Sequence, residues 1–152
     1  MAVVTTSACV NYTPMEMYDL VNDIQAYPKY LPMCSEARLL SKSGNSLRAA
    51  LTLSKGKIKL SFTTENSMEE GRRIHMKLVE GPFKYLKGVW SFEPIASGGC
   101  QTSFRLDFEF ANALIGMAFG GFIKEVAESL VEAFCNQAAK RYGERPRLST
   151  SR

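Results

Sequence analysis

Between residues 35 and 110, apolar and polar side chains alternate with a period of two, which is typical of β strands that bury one face. The clearest run ends at Phe110, and its apolar or small positions are Cys100, Thr102, Phe104, Leu106, Phe108 and Phe110. Shorter runs of the same kind cover residues 47–53, 58–62 and 74–78, and glycine-bearing turns separate them. The pattern predicts an antiparallel sheet with one dry face and one face exposed to water.

The segment before these strands combines a strand with a short helix. Residues 1–10 are rich in valine and threonine, which favours a strand. The sequence TPME then supplies Thr13 as an N-cap, a proline at the first helical position and a capping-box glutamate. The apolar stripe of this helix is Met17, Leu20, Val21 and Ile24. Pro28 and Pro32 prevent the helix from continuing.

A second helical pattern occupies the end of the chain. Apolar residues recur at helical spacing over residues 115–134, and charged residues lie mostly on the other side. A helix over residues 113–142 would be about 45 Å long, enough to cross a whole sheet. Gly116, Gly120 and Gly121 are unfavourable within a helix. Either this stretch is a loop, or it is helical and its small residues leave room for a ligand or allow the helix to shift.

Chain length, composition and charge indicate how the domain is organised. The 152 residues, 45% of them hydrophobic, are enough for one domain with a substantial core. Positive and negative side chains balance through Cys135, so the excess of +4 lies in the C-terminal end. We predict one domain over residues 1–143 and a basic, flexible tail over residues 144–152. The four cysteines are widely spaced without a C-x-x-C pair, which favours reduced thiols and no metal site.

Residue types that carry catalysis are sparse. His75 is the single histidine, and it falls out of phase with the apolar positions of its strand. The sequence contains no recognisable nucleophile–histidine–acid set and no phosphate-binding glycine loop. Asp107 and Glu109 share a strand face, but it is the face exposed to water. We therefore expect no enzymatic activity, no required cofactor and no metal.

Three longer motifs carry a family resemblance. They are LVNDIQAYPKYLPMC, LVEGPFKYLKGVWSFEP and FRLDFEFANALIGMAFGGFIKEVAESLVEAF. They resemble the coenzyme Q-binding START-like family and, within it, the bacterial ribosome association toxin branch that was formerly grouped with polyketide or oligoketide cyclases. The resemblance covers the chain to about Tyr142. It implies an α+β helix-grip (START/Bet v 1-like) fold, in which a curved antiparallel sheet of six to seven strands wraps around a long C-terminal helix, with short helices after strand one.

The resemblance also implies an apolar cavity between the sheet and the C-terminal helix. In the family this cavity is associated with isoprenoid quinones and respiration, so we expect a ubiquinone-type polyprenyl quinone as the bound ligand. The predicted ligand-binding residues are Tyr27, Tyr30, Leu31, Pro32, Phe83, Tyr85, Trp90, Phe104, Phe108, Ile115, Phe119, Phe122, Ile123 and Val126. The stretch DIQAYPKYLPMC would cross the open end of the sheet and place its tyrosine hydroxyls at the cavity entrance.

The toxin branch implies a different function, in which the protein binds the large (50S) ribosomal subunit and blocks subunit association. Five cations are candidate contacts to ribosomal RNA, namely Lys55, Lys57, Lys59, Arg72 and Arg73. Acidic residues lie among them, and basic strand faces are often simply solvated, so the two functions stay open. Under either one we expect a monomer in the bacterial cytoplasm, with no DNA partner and at most transient contact with the inner membrane.

Overall fold

A computed structural model describes residues 2–145 and consists of seven strands and two α-helices. In chain order these are β1 (Ala2–Val10), α1 (Pro14–Asn22), a 3₁₀ helix (Ile24–Lys29), β2 (Cys34–Ser43), β3 (Ser46–Lys55), β4 (Ile58–Glu69), β5 (Arg73–Glu80), β6 (Phe83–Pro94), β7 (Cys100–Phe110) and α2 (Ala113–Tyr142). The predicted tail beyond Arg145 lies outside the described residues.

The strands form one antiparallel sheet in the order β1-β7-β6-β5-β4-β3-β2. Strands β2 to β7 follow one another as a meander, and β1 closes the opposite edge by pairing with β7 from Ala2–Phe108 to Val10–Cys100. The alternation of buried and exposed positions in β7 matches the predicted period of two. The predicted fold class is confirmed as a seven-stranded curved antiparallel sheet with a long C-terminal helix.

Helix α1 begins at the predicted capping box. The backbone amide of Glu16 donates to Oγ1 of Thr13 over 3.1 Å, and the amide of Thr13 donates to Oε1 of Glu16 over 2.9 Å. The helix stops at Asn22, and the chain continues as the 3₁₀ helix that contains Pro28. These short helices lie between β1 and β2, so they bring the segment that follows them over the core-facing side of the sheet.

Helix α2 is continuous over 30 residues, so the loop interpretation of residues 113–121 is wrong. The side chain of Asn112 caps the helix by accepting from the amide of Ile115 at 2.9 Å. The first turns are largely exposed, with Leu114 at 77% and Met117 at 84%. Burial begins at Phe122, so the part of α2 from this residue onward is packed on the sheet.

The C-terminal end of α2 is held against the start of α1. Arg145 Nη1 donates to Oε1 of Glu16 over 2.8 Å, and the Tyr142 hydroxyl donates to the carbonyl of Glu16 over 3.0 Å. The Tyr12 hydroxyl donates to the carbonyl of Gly143 over 2.9 Å. The hydrogen bonds from Arg145 lower the pKa of Glu16 below its usual value. These contacts anchor the C-terminal end of α2, whereas residues 113–121 are exposed or half-buried.

Candidate ligand-binding cavity

A cavity of about 80 Å³ lies between the core-facing side of the sheet and the middle of α2, from Ile123 to Phe134. Its walls come from β2 to β7, from α1 with the 3₁₀ segment, and from α2. Trp90 stacks on Phe104 with ring centroids 4.4 Å apart and meets Phe134 edge-on at 5.2 Å. The aromatic cluster therefore forms one wall of an enclosed, mainly apolar space.

Half of the predicted ligand-binding residues line this cavity. They are Tyr27, Leu31, Pro32, Trp90, Phe104, Ile123 and Val126. Pro32 is exposed and also borders a groove that runs along the outside of α2. The wall between cavity and solvent is therefore thin at Pro32, and this position marks the cavity rim.

The other predicted residues lie elsewhere in the structure. Phe83 and Phe108 are buried in an aromatic cluster, where Phe83 stacks on Phe110 at 4.9 Å and meets Phe62 edge-on at 5.9 Å. The remaining members on α2 precede the cavity-lining part of the helix and are Ile115, Phe119 and Phe122. None of these five lines the cavity as it stands.

The two tyrosines of DIQAYPKYLPMC have different surroundings. The Tyr27 hydroxyl donates to the backbone carbonyl of Val21, and complete burial raises the pKa of Tyr27 well above its usual value. The Tyr30 ring packs edge-on against Phe134 at 5.8 Å, and its buried hydroxyl has no hydrogen-bond partner among residues 2–145. Burial also raises the pKa of Tyr30. The Tyr27 hydroxyl thus bonds to α1 and does not sit at the entrance.

Tyr85 is separated from the cavity by a β-bulge. The pairing of β6 with β7 shifts register between Phe83 and Tyr85. After the shift Leu86, Gly88 and Trp90 occupy the buried face, which leaves Tyr85 on the opposite side of the strand. Tyr85 is thus out of phase with Trp90 and Phe92, and the bulge explains why Phe83, although in phase with Tyr85, is buried.

Two polar residues of the cavity were missed by the sequence analysis. Thr64 and Asn66 are 2% and 3% exposed, and both line the cavity from β4. The period of two that begins at Ile58, Leu60 and Phe62 also continues through Thr64 and Asn66. The sequence signal for these two residues was their place at consecutive buried positions of β4. Buried polar groups need hydrogen-bond partners, so two of them on an apolar strand face suggest a binding site.

The five candidate ribosomal RNA contacts differ in whether their side chains already form ion pairs within the protein. Lys55 Nζ pairs with Oε2 of Glu125 at 2.9 Å. Arg73 lies between two carboxylates, Glu69 at 3.5 Å and Glu93 at 3.6 Å. The remaining three are exposed and form no ion pair within residues 2–145, namely Lys57, Lys59 and Arg72.

A protein-family model described as polyketide cyclase/dehydrase and lipid transport matches residues 10–135. The chain belongs to this family. It is 43% identical over 142 residues to the ribosome association toxin RatA of Escherichia coli strain K12, covering 93% of this chain and 90% of that protein. These matches confirm the START-like resemblance and its toxin branch.

The other relatives agree with this assignment. The mitochondrial coenzyme Q-binding protein COQ10 homolog B of Xenopus laevis is 30% identical over 141 residues, which is 90% of this chain and 58% of that protein. A START superfamily protein from Mycobacterium smegmatis superimposes with a TM-score of 0.73 at 18% identity, covering 91% of this chain and 97% of the other. The structural likeness establishes a shared fold.

Two further properties concern only residues 2–145. No helix in this range is both long and apolar enough to cross a membrane. Nor does the range contain a group of three or more histidine, cysteine, aspartate or glutamate residues placed to hold a metal ion. His75, the single histidine, is exposed and lies 2.8 Å from Oε2 of Glu69.

Proposed function

We propose that this protein is a non-enzymatic START-like carrier that binds a hydrophobic ligand, a ubiquinone-type polyprenyl quinone, in the cavity between the sheet and α2. The observation that carries the proposal is the cavity wall, which is apolar apart from a hydroxyl, an amide, a phenol, a thiol and the indole N–H of Trp90. Such walls suit a neutral lipid, since burying a charge without a partner is costly. The relative named coenzyme Q-binding protein supports the same ligand class.

The volume of the cavity requires that the protein opens to bind. The space of about 80 Å³ is well below the roughly 300–1,000 Å³ that is typical of ligand pockets. Pro32 marks a thin part of the wall. The first turns of α2, which are exposed or half-buried, contain three glycines, and their flexible backbone favours an outward movement of this part of the helix. We therefore expect α2 and the segment around Pro32 to separate when ligand enters.

Trp90 provides a direct test, because it is the single tryptophan and it lines the cavity. Ubiquinone with a short isoprenoid tail should quench Trp90 fluorescence saturably. The Ala49→Val variant, which narrows the cavity, should weaken this quenching, whereas Ala50→Val on the other strand face should not. Quenching that rises linearly and equally in all three proteins would contradict the proposal.

A second candidate function is binding to the large ribosomal subunit with inhibition of subunit association. It is favoured by the relative named ribosome association toxin, of which this chain covers 90%. Lys57 and Lys59 at one end of β4, and Arg72 beyond its other end, are also exposed and form no ion pair within residues 2–145. RNA phosphates attract clusters of exposed cations, and the attraction weakens with salt. The two functions use different surfaces and are compatible.

Sedimentation with separated ribosomal subunits at two salt concentrations tests this second function. We expect binding to the large subunit that decreases at high salt and is lost in the triple variant Lys57→Glu, Lys59→Glu, Arg72→Glu. Lys42→Glu, which reverses one exposed cation outside the candidate set, is the control for a non-specific effect of surface charge. Absence of co-sedimentation at low salt would rule the function out for this chain.

A further inference from the structure

Asn66 and Thr64 place a polar pair on an otherwise apolar wall. Both are almost completely buried, at 3% and 2% exposure, and they occupy consecutive inward positions of β4. Their cross-strand neighbours on β3 are Leu47 and Ala49. A buried polar pair lowers the stability of the protein unless its donors and acceptors form hydrogen bonds. A donor of this pair that lacks a partner therefore indicates a ligand contact.

One hydrogen bond joins the pair and leaves a donor free. Thr64 Oγ1 donates to Oδ1 of Asn66 over 2.9 Å. This bond uses the hydroxyl proton of Thr64 and the amide oxygen of Asn66. The amide nitrogen, Nδ2, carries two more protons and makes no hydrogen bond within the described part of the chain. Because Asn66 lines the cavity, these protons are available to a group inside it.

The pair lies far from the rim along the strand. Leu53 lines the cavity opposite Leu60 of β4 and pairs with Cys34, two residues from Pro32. Asn66 is six residues further along β4, which is about 20 Å at the rise of an extended strand. A ligand group that reaches Asn66 therefore lies deep in the molecule, and the rest of the ligand extends towards Pro32.

We infer that Nδ2 of Asn66 is the head-group donor of the cavity, and that the ligand is a neutral lipid bound head-first through a carbonyl-type oxygen. This inference rests on the proposed function and specifies which part of the ligand is recognised. A quinone carbonyl accepts a hydrogen bond and carries no charge. The cavity lining within residues 2–145 includes no cation, so a carboxylate or phosphate head group would be buried without a counter-charge.

Selectivity among lipids of equal length tests the inference. The quinone is titrated against Trp90 fluorescence, and the competitors are a polyprenyl hydrocarbon and a polyprenyl carboxylate, each measured by displacement of the quinone. A buried hydrogen bond corresponds to about a three- to tenfold change in affinity. We expect the wild-type protein to bind the quinone more tightly than the hydrocarbon by at least that factor, and the carboxylate most weakly.

The Asn66→Leu variant removes the donor and keeps the number and branching of the side-chain heavy atoms. It should bind quinone and hydrocarbon equally, and Thr64→Val, which keeps the donor, should retain the preference for quinone. If the wild-type protein binds both lipids equally, the assignment of Asn66 is overturned while hydrophobic binding stands. If neither lipid binds, the proposed function fails. Equal binding by the wild-type protein would overturn the inference even if Asn66→Leu does not fold. A preference for quinone that persists in a folded Asn66→Leu variant would also overturn it, because another donor, such as the indole N–H of Trp90, would then be responsible.

Discussion

Lys55 Nζ lies 2.9 Å from Oε2 of Glu125 and joins the end of β3 to α2. Lys55 is two residues beyond Leu53, and Glu125 is next to Val126, so the ion pair connects two walls of the cavity. Both side chains are about half exposed. The pair therefore sits at the solvent side of the cavity, where the proposed function requires α2 to separate from the sheet.

Removing this ion pair should accelerate ligand entry with little effect on stability. An exposed pair contributes about 0–1 kcal/mol to folding, so Lys55→Ala should leave the unfolding free energy nearly unchanged. Stopped-flow quenching of Trp90 should show several-fold faster quinone association, and the charge-reversed double variant Lys55→Glu, Glu125→Lys should restore the wild-type rate. Arg48→Ala, which breaks an exposed pair with Glu65 on the other sheet face, should have no effect.

Filling the cavity should stabilise the protein and exclude ligand. Ala49 is 1% exposed and lines the cavity, whereas Ala50 faces the other side of β3. Since empty space costs about 24 cal/mol per Å³, Ala49→Val should raise the unfolding free energy by about 1 kcal/mol relative to Ala50→Val. Urea denaturation of both variants measures the difference. A lower stability of Ala49→Val would mean that the cavity cannot accept two methyl groups.

The two tyrosines of the 23–34 segment should respond differently to loss of their hydroxyls. Tyr27→Phe removes the bond to the Val21 carbonyl and should lower the unfolding free energy by about 1 kcal/mol. Tyr30→Phe removes a buried hydroxyl without a partner in residues 2–145 and should be neutral or stabilising. Thermal and chemical denaturation compare the two. Equal losses of stability would contradict these assignments.

The glycines of α2 should limit its stability. An added methyl group at Gly120 or Gly121 meets no atom within 4 Å, so alanine fits and gains about 0.5–1 kcal/mol at each position. The double variant Gly120→Ala, Gly121→Ala should therefore be more stable and should slow hydrogen exchange in the first half of α2. If those glycines permit α2 to move away from the sheet, quinone association should also become slower. An unchanged association rate would show that the glycines affect the stability of the helix but not ligand entry.

The contact between Glu16 and Arg145 should make stability depend on pH in a defined direction. The pKa of Glu16 is lower in the folded protein than its usual value of 4.5. Its contribution is therefore complete above pH 4.5 and is lost as the pH falls through the lowered native pKa. Glu16→Gln keeps the cap, so its deficit relative to wild type, below about 1 kcal/mol for a partly exposed pair, should disappear in acid. If Glu16→Gln stays less stable than wild type at low pH, the loss comes from a weakened N-cap hydrogen bond and not from the missing negative charge.

Much of the fold was predictable because local patterns determine it. The capping box of α1, the alternation in β7 and the long helix α2 follow from residues close together in sequence. The glycines of α2 left helix and loop open, since their local penalty competes with the stability of a 30-residue helix whose packed part begins only at Phe122. The Asn112 cap also marks where the helix begins, before the first of these glycines.

The cavity was only partly predictable. Trp90 and Phe104 lie in its wall, as their positions in the strand period suggest, and their binding of a ligand stays a prediction. Tyr85 was chosen for its hydroxyl, although the period counted from Trp90 places it on the other face of β6. Asn66 was overlooked, although its spacing of two from Thr64 and Phe62 in the sequence predicts that it faces the core. The empty volume itself results from how distant side chains pack, which no local pattern encodes.

Organic extraction of the purified protein, followed by mass spectrometry, tests the central claim most directly. The wild-type protein and Ala50→Val should release a neutral polyprenyl quinone, and Ala49→Val should release much less. An extract of the wild-type protein that contains no such lipid, together with no saturable quenching of Trp90 by added ubiquinone, would contradict the account.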